Sequence, residues 1–192
     1  MIRASAPGKL MIAGEYSVVS PGCVALATSV SARLTVTLKI GGQGWRVSSK
    51  ELNLDQVSVD HVPIVRAALD EFYDLPQGGL LEITSELGAG PQKPGLGSSA
   101  ALAVATLAVL RKATGGERPS LDAVVAVHRA GQAGAGSGYD VATALHGGVC
   151  RYDTTSNQLH VTQVDWPDGL HAAILYTGRA SSTTKLLSRL AE

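Results

Sequence analysis

Residues 91–102 read PQKPGLGSSAAL, and this stretch decides the fold. A glycine-rich loop runs straight into an apolar segment, SSAALAVATLAVLRKA at 98–113. The segment is apolar nearly all round, which predicts a buried helix. Gly95 and Gly97 leave no Cβ between the backbone and a ligand. Ser98 and Ser99 open the helix. The first N–H groups of a helix have no internal partner, and its dipole adds partial positive charge. Phosphate suits such a place, and the hydroxyls add donors or a metal ligand. Lys93 adds a full charge nearby. The plain structural alternative is a capped helix after a tight turn. The stretch is not a Walker loop, because no Gly-Lys-Ser/Thr follows four spacer residues, and it is not the dinucleotide fingerprint.

Working outward, ARLTVTLKI at 32–40 alternates as a half-buried strand. GGQG at 41–44 turns the chain, and 45–48 reads as the returning strand. Val62, Val65, Leu69 and Phe72 have helical spacing over 61–73, with Asp60 as N-cap. Leu80 to Ile83 reads as a strand. Ser120 caps a helix through LDAVVAVHRAGQ. Three short strands are expected at 147–152, 159–164 and 171–176, and a closing helix at 181–190. Strands and helices mix without a regular βαβ repeat, so the predicted class is α+β.

The chain has 192 residues, with 16 basic and 16 acidic side chains. No cationic surplus exists to neutralise many phosphates, which argues against nucleic acid as a partner. Cys23 and Cys150 are the only cysteines. Two distant cysteines suit a reducing compartment, where they pack as small apolar groups. MIRASAPGK has no long apolar run of the secretory kind. No run of about 18 uncharged apolar residues exists, so no membrane span is expected and the cytoplasm follows by default.

Three further segments carry chemistry. In APGKLMIAGEY at 6–16, Pro7-Gly8 makes a turn and Lys9 starts an apolar strand. An isolated lysine is usually a solvated surface charge. Beside a transferring phosphoryl group it would stabilise charge. In GAGSGYD at 134–140 a second glycine loop ends in Asp140. That carboxylate is either an N-cap or a group that accepts or orients a proton at a helix start. In YTGRASSTTK at 176–185, Thr177-Gly178 turns the chain and Ser181 or Ser182 caps the next helix.

These segments together resemble the signature motifs of the galactokinase, homoserine kinase, mevalonate kinase and phosphomevalonate kinase superfamily. PQKPGLGSSAAL is similar to its second motif, Pro-x-x-x-Gly-Leu-Gly-Ser-Ser-Ala. The resemblance implies a nucleotide-binding domain of the ribosomal protein S5 domain 2-like kind over 1–180. It implies the start of a ferredoxin-like C-terminal domain, largely absent here, at 181–192. It places ATP phosphates on Pro94, Gly95, Leu96, Gly97, Ser98, Ser99 and Ala100. Ser99 is the preferred magnesium-facing hydroxyl, with Ser98 the alternative. Lys9 and Asp140 take the catalytic roles. Lys9, Glu15, Tyr16, Ser137, Gly138, Arg179 and Ser182 face the acceptor, and Lys185 is a further cation there.

Within the superfamily, Gly-Glu-Tyr at 14–16, HRAGQ at 128–132 and TGRASST at 177–183 resemble phosphomevalonate kinases. The implied reaction moves the γ-phosphoryl of ATP to 5-phosphomevalonate, giving 5-diphosphomevalonate and ADP. Mevalonate kinases hold magnesium with a further glutamate eleven residues before the aspartate, and the ungapped position here is Arg129. The family's third glycine-rich motif is missing after Ser182. A homodimer or a missing C-terminal lobe is the expected wider arrangement. The alternatives are another kinase of the superfamily, mevalonate kinase among them, or a non-catalytic nucleotide-binding fragment.

Overall fold

The computed structural model describes residues 1–14, 22–88, 94–134, 136–153, 160–176 and 178. Its centre is a seven-stranded mixed sheet in the order β4-β3-β5-β2-β6-β7, with β1 paired to β2. β1 (Ile2–Ala13) and β2 (Val24–Ile40) run antiparallel, with Ala6 opposite Leu34 and Lys9 opposite Ser29. The ladder slips between Pro7 and Lys9, where proline has no N–H to contribute. Pro7-Gly8 is therefore an irregularity inside β1, and Lys9 sits in mid-strand, not at a strand start.

The turn at 41–44 does not make a hairpin. β5 (Gly78–Ser85) lies between β2 and β3 (Gly44–Ser49), antiparallel to β2 and parallel to β3. Alternation identifies a strand but not its neighbour. β4 (Leu54–Ser58) pairs with the outer side of β3 and was not expected, because LDQVS carries only two apolar residues. α1 (Pro63–Asp70) is shorter than 61–73. Asp60 does not cap it. Asp60 instead lies in a 3-10 turn whose own cap is Ser58, and Pro63 opens α1 with the φ that a first turn needs.

α2 (Ser98–Ala113) follows the expected bounds. It lies against β1 and β2 and is flanked by α1, α3 and α4. This surround explains why its sequence has no polar face. Leu107 and Leu110 are fully buried there, each stabilising the fold by roughly 1.5–3 kcal/mol. α3 (Leu121–Ala130) begins as expected, with Ala123 N–H donating to Ser120 Oγ at 3.3 Å, and ends two residues early. α4 (Tyr139–His146), β6 (Val149–Asp153) and β7 (His160–Val164) complete the described elements. Ala25, Ala27, Ala142, Cys150 and Tyr152 form a small second cluster that joins α4 to the sheet. Neither cysteine is in a disulfide, and Cys150 packs as an apolar group.

The strand expected at 171–176 is absent. No described strand pairs with it, and Ile174, Leu175 and Tyr176 are exposed. The helix expected at 181–190 lies outside the described residues. Among the described residues, no helix is long and apolar enough to cross a membrane.

His146 ends α4 at an exposed position, and partial desolvation, then the nearby Arg118, push its imidazole pKa down, so its share of stability is small. The fold thus favours the neutral ring, whereas the unfolded chain binds a proton near the ordinary pKa of about 6.5. The unfolded state gains protons first as pH falls, so stability is full above about 6.5 and declines below it. Urea midpoints should drop between pH 8 and pH 5, and His146→Gln should lessen the drop. An equal drop in His146→Gln would remove this residue from the account.

Candidate active site

The loop before α2 is held from beneath by β1. Lys9 N–H donates to Leu96 O at 2.8 Å. Gly8 makes the approach possible, since a Cβ there would lie 2.6 Å from Leu96 O and 2.5 Å from Leu87 Cδ2. Gly97 is the N-cap of α2 at φ 74°, a left-handed conformation that disfavours other residues. No side chain caps the helix. Ala101 N–H donates to Gly97 O at 3.1 Å and closes the first turn, so the N–H groups before it are available to an anion.

The second glycine loop has the same design. Gly138, at φ 89°, is the N-cap of α4, again without a side-chain cap. Asp140 is therefore inside the first helical turn and is not the N-cap. Its Oδ1 accepts from Val141 N–H at 2.9 Å, and its side chain keeps 20% exposure. Ser137 is half-buried just before it. Arg129 Nε donates to Gly136 O at 3.0 Å, which ties the loop to the end of α3.

Lys9 links the two loops. A Cβ on Gly97 would lie 2.7 Å from Lys9 Cγ, so the lysine stem runs along the phosphate loop. Lys9 Nζ lies 5.3 Å from the centre of the Tyr139 ring, within cation–π range. Lys9, Pro94 to Ala100, Ser137, Gly138 and Asp140 thus belong to one neighbourhood. Glu15, Tyr16, Lys93, Arg179, Ser182 and Lys185 lie outside the described residues.

Two residues here were missed. Tyr139 stands in the variable position before Asp140, and its only signal was an aromatic inside a glycine loop. In the sequence His128 reads only as the first residue of HRAGQ, with no role of its own. It is buried, and its Nε2 lies 3.2 Å from Ser99 Oγ and 4.0 Å from Asp140 Oδ2. Burial pushes its pKa down, Asp140 opposes that, and Arg129 adds to it. The residue of α3 that faces Ser99 is therefore His128, while Arg129 is exposed and bonded to the glycine loop.

A hydroxyl and one carboxylate, both within 4.0 Å of a single imidazole nitrogen, fit magnesium held mainly through phosphate oxygens. Among the described residues, no group of three or more His, Cys, Asp or Glu could hold a metal by itself.

Residues 62–148, which include the phosphate loop and Asp140, match the GHMP kinases N terminal domain family. Over these residues the chain carries the N-terminal domain of the GHMP kinase superfamily. It is 32% identical to a mevalonate kinase of Aeropyrum pernix, over 83% of this chain and 52% of that one. It is 28% identical to a phosphomevalonate kinase of Saccharolobus solfataricus, over 100% of this chain and 62% of the relative. The chain thus spans about half to three-fifths of the length of these curated relatives. Among solved structures, a Listeria innocua protein matches with a TM-score of 0.77 at 24% identity, over 99% of this chain and 64% of that one. A Streptococcus pneumoniae phosphomevalonate kinase in complex with phosphomevalonate and AMPPNP matches with a TM-score of 0.67 at 20% identity, over 80% and 50%. At these identities the two structures speak for the fold of the GHMP kinase domain.

Proposed function

We propose that this GHMP kinase domain serves a small-molecule kinase of the mevalonate pathway, passing the ATP γ-phosphoryl group to 5-phosphomevalonate. The observation that carries the reading is the meeting of Lys9, the uncapped start of α2 and Asp140 around one neighbourhood. Phosphoryl transfer asks little covalent chemistry of a protein. It depends on positioning and on stabilising spread negative charge. The backbone N–H groups of Gly97 to Ala100 would receive the ATP phosphates, with Ser99 or Ser98 and Asp140 toward magnesium. Bound magnesium would neutralise charge between the phosphates. Lys9 would offset repulsion between the γ-phosphate and an anionic acceptor. Ser137 and Gly138 would border the acceptor, with Glu15, Tyr16, Arg179 and Ser182 as further proposed contacts. The domain proposed to do this runs over 1–180.

The acceptor is argued from Tyr16, HRAGQ and TGRASST, and from His128 standing on α3 toward Ser99 where mevalonate kinases are expected to hold a glutamate. Mevalonate is the second reading, favoured by the relative at 32% identity. Coupled ADP-release assays on both acceptors separate the two. A site that pairs the acceptor's phosphate leaves charged groups unpaired with mevalonate, a loss of a few kcal/mol. Phosphomevalonate should therefore be preferred by on the order of a hundredfold in kcat/KM. Comparable turnover of mevalonate would replace this acceptor with the second reading.

A further inference from the structure

His128 joins three helices at one atom. It stands in the last turn of α3. Its Nε2 reaches Ser99 Oγ in the first turn of α2 and faces Asp140 Oδ2 in the first turn of α4. The side chain is only 3% exposed. The other edge of the ring faces the glycine loop, since a Cβ on Gly136 would lie 3.6 Å from His128 Nδ1. That loop is itself fastened by Arg129. A buried polar ring is costly unless hydrogen-bonded, and the Ser99 contact meets that need.

The neighbouring carboxylate decides which way the bond runs. A carboxylate accepts and cannot donate when ionised. Asp140 at 4.0 Å thus favours the proton on Nε2 of a neutral ring. A proton on Nδ1 would turn a bare nitrogen lone pair toward the carboxylate.

We infer that His128 is a positioning residue that donates its Nε2–H to Ser99 Oγ, fixing the serine rotamer in register with the Asp140 carboxylate. With one lone pair of Ser99 Oγ taken, its O–H and its other lone pair remain for phosphate and cation. The imidazole makes no contact with the reactants in this arrangement. It sets the separation between the hydroxyl and the carboxylate from behind. The proposal rests on the functional reading above and adds a determinant of how firmly the nucleotide-metal complex is held.

Two measurements test it on the whole chain. Long-range nitrogen–proton spectra of the ligand-free protein at pH 7.5 should show His128 neutral with the proton on Nε2. Calorimetry with MgATP should show His128→Leu binding about tenfold more weakly, the worth of one hydrogen bond. His128→Gln, which can place an N–H near the position of Nε2, should stay within about threefold of the unsubstituted chain. A proton on Nδ1 overturns the proposal even if His128→Leu fails to fold. So does folded His128→Leu with unchanged affinity, or a glutamine variant as weak as the leucine one. Absence of MgATP binding by the unsubstituted chain sinks the functional reading, and this proposal with it. That outcome is told apart because it precedes any substitution.

Discussion

Lys9→Met is expected to lower kcat by on the order of a thousandfold, the loss that follows removal of one well-placed charge-stabilising group. Methionine keeps an unbranched stem beside Gly97, so the contact with the phosphate loop survives and the charge alone is lost. Two anions must meet in the proposed reaction, the γ-phosphate and the acceptor's phosphate. Their repulsion grows as water is excluded. Lys9 is the described cation placed between the two glycine loops, against the phosphate loop and over Tyr139. Asp140→Asn should cost less, roughly ten- to a hundredfold, because an acceptor phosphate with a second pKa near about 6 is already mostly ionised at neutral pH. The check is kcat for both variants from pH 6 to 9, in a form of the enzyme that turns over. A larger loss in Asp140→Asn, with disappearance of an ascending limb, would make Asp140 the base and displace Lys9 from the leading role.

Gly97→Val is expected to remove measurable MgATP binding, a weakening of at least about a hundredfold, while the fold persists. Two effects act together. The residue holds φ 74°, where a β-branched side chain is strained. Its Cβ would also lie 2.7 Å from Lys9 Cγ and 3.3 Å from Lys9 Cε. Relief requires the loop to turn away or the lysine to leave, and either change spoils the proposed phosphate site. The added side chain meets the flexible Lys9 stem and no core side chain, so the melting temperature should fall only modestly. Calorimetry and thermal unfolding on the same preparation check both halves. Unchanged nucleotide affinity in the folded variant would contradict the assignment of phosphate to this loop.

The sequence exposed some features of this site because their causes are local. GLGSS before an all-apolar run implied a buried helix with a bare N-terminus, and α2 has those bounds. Ser120 capped α3 as its chemistry required. Other features depend on partners far along the chain. Alternation in 32–40 and 45–48 suggested a hairpin, yet β5 lies between the two strands. The apolar run at 171–176 carried a strand pattern without a described strand to receive it. His128 was hidden for the same reason. On α3 it is one buried residue beside Val124 and Val127. Its meaning comes from Ser99, 29 residues earlier, and Asp140, 12 residues later. Counting back from Asp140 without gaps chose Arg129, one position from the residue that faces the loop.

The central claim is that ATP phosphates rest on the start of α2, and backbone amide exchange with and without MgATP tests it most directly. The account predicts slowed exchange at Gly97 to Ala101 on binding, with a smaller effect at Gly138 to Val141. Binding without protection of Gly97 to Ala101, or no binding at all, would contradict it.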